Sequence, residues 1–150
     1  MPPPYHIRPF RMSDMHAVLA IERASFGADA YDRNWFAEIL HKCGRLFLVA
    51  ETAGGVRAYI VTAIRGPAGR AELVSVAVYP PYRGRGVAAS LIESTLRRLR
   101  LRHVRELTLA VRASNQPAQA LYAKFGFGQP RRIRCYYENG EDALALRKLL

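Results

Sequence analysis

Lysine is nearly missing from this 150-residue chain. Lys42, Lys124 and Lys148 are the only ones, yet Lys+Arg total 23 against 12 Asp+Glu, so the net charge of +11 is carried almost entirely by arginine. Cysteine is scarce too. Cys43 and Cys135 are too few and too far apart for a disulfide framework or a zinc site. No apolar run approaches the length of about 18 residues that a membrane-spanning helix needs. The N-terminus, MPPPYHIRPF, has no apolar segment of the kind a secretory signal carries. These absences predict a reduced, cytoplasmic protein with no membrane partner. Repeats and linkers are also lacking, so residues 1–150 are expected to form one domain, long enough for a substantial core.

Half of the residues are apolar, and the arginine surplus suits a polyanionic partner: nucleic acid, an acidic protein or a polyphosphate cofactor. The arginines are spread along the chain, with local clusters only at 97–105 and 131–134, and no nucleic-acid motif accompanies them. Nucleic acid is therefore not expected as the main partner.

The periodicity predicts an α/β (α+β) domain. Residues 5–10 read as a first strand. Ser13 is placed to cap a helix with Met15, Val18, Leu19, Glu22 and Phe26 at helical spacing, ended by Gly27. Asp32 is placed to cap a second helix carrying Trp35, Phe36, Ile39 and Leu40, closed by Gly44. The period then changes to strands at 46–50 and 56–64 around an Ala53-Gly54-Gly55 turn. A looser turn at Gly66-Pro67-Ala68-Gly69 leads into a strand at 71–78. A long helix follows from near Gly86, then a strand at 106–111. Asn115-Gln116-Pro117 opens another helix, which Gly126 and Gly128 should stop. A hairpin of 131–138 and 142–147, turning at Asn139-Gly140, closes the chain. The expected sheet is mixed and mostly antiparallel, flanked by about four helices.

The chain is organised around residues 74–101, VSVAVYPPYRGRGVAASLIESTLRRLRL. Strand, glycine-rich loop and helix in that order make an anion cradle. The loop leaves backbone N–H groups free, and the helix start adds more with the positive end of its dipole. No Gly-Lys-Ser/Thr follows, which excludes a Walker loop, and the spacing does not fit a dinucleotide fingerprint.

Arg83-Gly84-Arg85-Gly86-Val87-Ala88 fits the pattern Arg/Gln-x-x-Gly-x-Gly/Ala and resembles the acyl-CoA loop of the GCN5-related N-acetyltransferase (GNAT) superfamily. Ala110-Val111-Arg112-Ala113-Ser114-Asn115, Ala120-Leu121-Tyr122 and Gly126-Phe127 resemble the segment that ends that superfamily's cofactor site. The Val-Arg-Ala-Ser-Asn run, with Arg134-Cys135-Tyr136-Tyr137 and Gly140-Glu141-Asp142-Ala143, is similar to the branch of ribosomal-protein alanine N-acetyltransferases (RimI-type).

The resemblance implies acetyl-CoA as co-substrate and an amine acceptor, expected to be the α-amino group of a protein N-terminus, which attacks the thioester directly through a tetrahedral intermediate. The pyrophosphate would lie over the amides of Arg83, Gly84, Arg85, Gly86, Val87 and Ala88. Val76 and Val78 would offer main-chain groups to the pantetheine arm, with an N–H near Val76 supporting the oxyanion. Asn115 would contact the same arm. Tyr122 would protonate the departing thiolate, a role open to a phenol without unusual tuning. The resemblance also implies that the strand at 71–78 splays from the next strand, at 106–111, into a V-shaped slot.

The chain departs from its branch at Ala110, where RimI-type enzymes carry a glutamate base. Glu72, which matches the base position of histone-type members, is the replacement, expected on one side of its strand with Val74 and Val76. A water relay and a solvent-facing strand-end charge remain its alternatives. Tyr31, Asp32, Trp35, Tyr136, Tyr137 and Glu138 fall in segments that line acceptor clefts in the superfamily. Elsewhere they read as a cap, core aromatics and a hairpin edge. The other functions left open are a small-molecule amine acetyltransferase and a CoA-binding module without turnover, as a monomer or homodimer.

Overall fold

The computed structural model describes residues 5–43, 46–65 and 69–150. Strand β1 (His6–Pro9) leads through a 3-10 turn to α1 (Met15–Phe26) and α2 (Arg33–Cys43). Strands β2 (Phe47–Thr52), β3 (Gly55–Arg65) and β4 (Arg70–Val78) follow. Then come α3 (Val87–Leu101), β5 (Glu106–Arg112), α4 (Gln116–Lys124), β6 (Gly128–Ile133) and β7 (Ala143–Leu149). The seven strands form one sheet in the order β1-β2-β3-β4-β5-β7-β6. Every neighbouring pair is antiparallel except β4 with β5. The expected mixed sheet and four helices are what the described residues form.

Alternation along the strands sends side chains to two cores. Leu48, Ala50 and Ile60 pack beneath α3 and α4 with Leu91, Leu96, Leu99 and Tyr122. Phe47, Val49, Tyr59 and Val61 meet α1 and α2 through Val18, Ile21, Phe36 and Ile39. Burying each such side chain contributes about 1.5–3 kcal/mol. This is why the amphipathic helices lie flat on opposite faces.

Three local expectations change. Ser13 makes no side-chain cap; it lies in the 3-10 turn of Met12–Asp14. Asp14 does the tying there, accepting the Arg11 amide at 2.7 Å and two bonds from the Arg8 guanidinium at 2.8 Å. Gly126, in the left-handed region at φ 85°, ends α4 as expected, but Gly128 opens β6 instead of stopping a helix. The last hairpin also begins earlier than expected. Residues 134–138 form its loop because Asp142 folds back, taking the Cys135 amide at 3.1 Å and Arg132 at 2.8 Å. Asp32 does cap α2, accepting the Trp35 amide at 2.9 Å. The roles expected of Gly44 and of the turn at 66–68 fall outside the described residues.

Candidate active site

Strands β4 and β5 pair only at their starts, Arg70 with Glu106, Ala71 with Leu107 and Glu72 with Thr108. Beyond Glu72 the two strands diverge into a V, each held on its outer side by β3 or β7. Pro80 and Pro81 follow β4 in a 3-10 turn, and lacking N–H groups they cannot extend a ladder there.

The loop at the open end of the V is built as an anion cradle. Gly84 and Gly86 have φ 77° and 78°, and a Cβ at either would meet nothing within 4 Å, so these turns are set by backbone conformation and not by crowding. Helix α3 closes its first bond from the Ser90 amide to the Gly86 carbonyl. The Arg83 amide, expected in the cradle, is instead taken by the Pro80 carbonyl at 3.2 Å, whereas the amides of Gly84, Arg85, Gly86, Val87 and Ala88 find no acceptor among the described residues. Five free donors at the start of a 15-residue helix favour an anion.

The two arginine side chains of the loop are otherwise engaged. Arg83 donates to the Val78 carbonyl at 3.0 Å and to Ser25 Oγ at 3.1 Å, and so braces the loop against β4 and α1. Arg85 lies over the Tyr82 ring, 5.3 Å from its centroid. The anion site is thus a main-chain one, and the Val78 carbonyl is already taken by Arg83.

A β-bulge decides which side chains face which wall. Val61 pairs with Ser75 but Thr62 with Leu73, so Val74 is the extra residue of β4. Val74 and Ala77 pack on the α1–α2 side, while Val76 packs beneath α3. The expectation that Glu72, Val74 and Val76 share one side is therefore corrected. The bulge flips the alternation, and Val76 faces away from Glu72. Glu72 lies at the apex of the V, on the α1–α2 face, held by Arg65 Nη2 at 2.7 Å. Ala110 lies on the same face of β5, its neighbours Leu109 and Val111 packing opposite.

Tyr122, on α4, packs in the core beneath α3 and α4. It is 7 % exposed, edge-on to Phe127 at 5.7 Å, and burial, with the nearby Tyr137 phenol, pushes its own phenol up to about 12. The phenol is therefore tuned upward and stays a donor throughout the physiological range. Asn115 caps α4, its Oδ1 accepting the Ala118 amide at 3.2 Å, which leaves its amide nitrogen as the free donor.

The wall opposite is aromatic. Tyr31 stacks on Trp35 with centroids 3.7 Å apart, and Tyr136 meets Tyr137 edge-on at 5.0 Å. Burial raises the Tyr31 phenol, with Tyr136, Glu22 and Glu72 adding to the rise. Asp32 is consumed by its cap, and Glu138 is exposed on the β6–β7 loop.

Two important residues had no predicted role. Arg112, at the end of β5, forms ion pairs with Asp29 of the α1–α2 connection and with Glu141 of the β6–β7 loop, the latter at 2.7 Å. Its guanidinium also lies 3.9 Å from the Tyr137 ring centroid, so it clasps both acceptor-side loops. Glu22, 1 % exposed, receives the Tyr59 hydroxyl, the Ser75 hydroxyl at 3.1 Å and the Tyr31 amide at 3.0 Å. It fastens the α1–α2 connection to the β4 bulge.

The fold agrees with the comparisons to known proteins. The model of the acetyltransferase (GNAT) family matches residues 12–127. The chain belongs to the GNAT family. It is 32 % identical over 150 residues to an N-alpha-acetyltransferase of Sulfolobus acidocaldarius, covering 93 % of this chain and 89 % of that one. The crystal structure of the Escherichia coli ribosomal-protein-S18-alanine N-acetyltransferase superposes with a TM-score of 0.83 at 29 % identity, covering 97 % of this GNAT chain and 93 % of the other. Arabidopsis thaliana NAA60, solved in complex with acetyl-CoA, shares the fold with a TM-score of 0.83 at 20 % identity, covering 97 % and 99 %. The chain is thus an acetyltransferase of RimI and N-alpha-acetyltransferase kinship, and GNAT enzymes use acetyl-CoA as co-substrate.

Proposed function

We propose that this enzyme acetylates the N-terminal α-amino group of a protein or peptide, drawing the acetyl group from acetyl-CoA. The observation that carries this reading is the V between β4 and β5, with five free amides at its mouth and an aromatic wall on one face. A diphosphate suits the free amides of residues 84–88, where the left-handed glycines keep Cβ atoms away from the approach. Asn115 offers its remaining amide donor to a thin polar arm lying in the V. Acetyl-CoA supplies an activated thioester.

The chain's own residues supply the rest. The Val76 main chain, just past the bulge, stabilises the negative charge that develops on the carbonyl oxygen. Glu72, at the apex on the acceptor face, takes the proton the ammonium must lose, and Arg65 orients it. Tyr122 delivers its hydroxyl proton to the departing sulfur from the opposite face. Tyr31, Tyr136 and Tyr137 shape the passage for the first residues of the acceptor, and Arg112 keeps its two loops in register.

Purified enzyme with acetyl-CoA should release free CoA thiol with short peptides bearing a free N-terminus, and much less with polyamines or aminoglycosides. Tyr122→Phe should lower kcat by about 10²–10⁴-fold, the span of a lost general acid. Thiol release confined to small amines would sink the peptide reading. Unchanged turnover in Tyr122→Phe would remove the acid role.

A further inference from the structure

The last turn of α3, the end of α4 and the end of β7 meet at the closed end of the sheet, where β4 and β5 are still paired. Arg97 and Arg100 from α3, Lys124 from α4 and Lys148 from β7 line an open trough of about 640 Å³ there. Glu93 is the one carboxylate in its lining, and none of the four cations forms an ion pair among the described residues. The fold thus gathers charges that are scattered in the sequence. Arg102 and Arg105, exposed just beyond α3, continue the positive surface; the Arg105 amide bonds to Gly69, and its carbonyl accepts the Leu150 amide. Like charges brought together from three elements repel one another until an anion lies among them.

The trough is far from the amide cradle. Arg97 and Arg100 lie ten and thirteen residues past Val87, about 15 and 20 Å along α3 at 1.5 Å per residue, and the nearest group placed in the transfer reaction is Tyr122, buried two residues before Lys124. Its floor is apolar. Leu101 is 77 % exposed among the arginines, and Phe125 is half-buried beside it.

We propose that this trough docks single-stranded nucleic acid, its cations gripping successive phosphodiesters while an unstacked base lies against Leu101 and Phe125. A lone phosphate is a poor match, since the trough is open and three of its four cations, Arg97, Arg100 and Lys124, are exposed side chains at its rim. An acidic peptide would use the charges but leave the apolar floor without a partner. Guanidinium forks suit phosphate oxygens, and a base has an apolar face for the floor. The site is independent of the proposed acetyl transfer, so peptide acetylation and docking fail separately.

The test is fluorescence anisotropy with a labelled 12-nucleotide uridine RNA, the matching thymidine DNA and a poly-glutamate peptide of equal charge. Both nucleic acids should bind, with affinity falling steeply as salt rises; a tenfold preference for one names the source. Arg97→Ala/Arg100→Ala should weaken binding at least tenfold and lower the slope of log K against log salt by about 1.4, at about 0.7 per lost phosphate contact. Arg23→Ala/Arg33→Ala removes the same charge elsewhere and should change affinity less than twofold. Turnover on a short peptide should be unchanged in the trough variant. Equal losses in both double variants, tighter binding of poly-glutamate, or no nucleic-acid binding at 100 mM salt would each overturn the proposal.

Discussion

Glu22 and Asp14 are both buried carboxylates, but their surroundings drive them in opposite directions. Burial raises the Glu22 carboxyl, and the bonds from Tyr59, the Tyr31 amide and Ser75 only moderate the rise. Burial also acts to raise Asp14, but the Arg8 guanidinium and the Arg11 amide outweigh it and hold the carboxyl below its ordinary value. By linkage, a carboxyl raised by folding contributes stability below its unfolded value of about 4.3, and loses it as pH climbs through the folded value. Asp14 contributes above about 3.9, and that contribution is lost as pH falls through its depressed value. Melting curves between pH 4 and 8 should show Glu22→Gln losing the decline in Tm that the parent shows toward pH 8. A parallel decline in both would refute the assignment. Glu72→Gln belongs with activity instead. It should cut kcat/KM most at low pH, where the acceptor amine, with an ordinary value near 7.7–8.0, is still protonated, and least above that range. A uniform loss at every pH would move the base elsewhere. Glu22 did leave a trace in the sequence, as a carboxylate occupying one position of the apolar stripe of α1. Arg112 stands in the run that carries the resemblance, but its clasp left no trace, because its partners Asp29 and Glu141 come from loops that only the folded sheet brings together.

At the level of elements, the glycine loop and the α4 cap were legible because their signals are local: left-handed glycines, an asparagine, then a proline in the first turn. Asn115→Ala should cost about 0.5–2 kcal/mol of stability by chemical denaturation, and should weaken acetyl-CoA binding as well if the free amide nitrogen contacts the arm. Gly86→Ala places a side chain at φ 78° with open space around it. The strain is of order 1 kcal/mol, so the fold should survive while KM for acetyl-CoA rises more than KM for the peptide. Equal rises in both would argue against the cradle. The β4 bulge was not legible, since VSVAV reads as unbroken alternation and only pairing with β3 shows that Val74 is extra. The start of β6 was hidden as well. Gly128, Gln129 and Pro130 look like a loop, yet they belong to edge strand β6, where Gly128 pairs with Arg147 and Gln129 and Pro130 fall in a bulge that tolerates a missing N–H.

Across the whole molecule, the order of elements was legible from periodicity, while the division of the sheet was not. β1–β4 and β5–β7–β6 are two half-sheets joined by three residue pairs at one end. A ligand spanning them should act on both at once. With acetyl-CoA at a hundred times its Kd, stabilisation of about 2.7 kcal/mol, or roughly 5–10 °C in Tm at this chain length, is expected by thermal shift. The same division makes the enzyme a pair of jaws on a short pivot. Each jaw is stiffened by its own ladder and its own helix layer, and the pivot is Arg70, Ala71 and Glu72 against Glu106, Leu107 and Thr108. A map of amide hydrogen exchange should therefore be uneven along single strands. Protection should be strong at the pivot and weaker toward Val78 and Arg112 on the inner edges, and it should even out along both strands when the jaws grip a co-substrate.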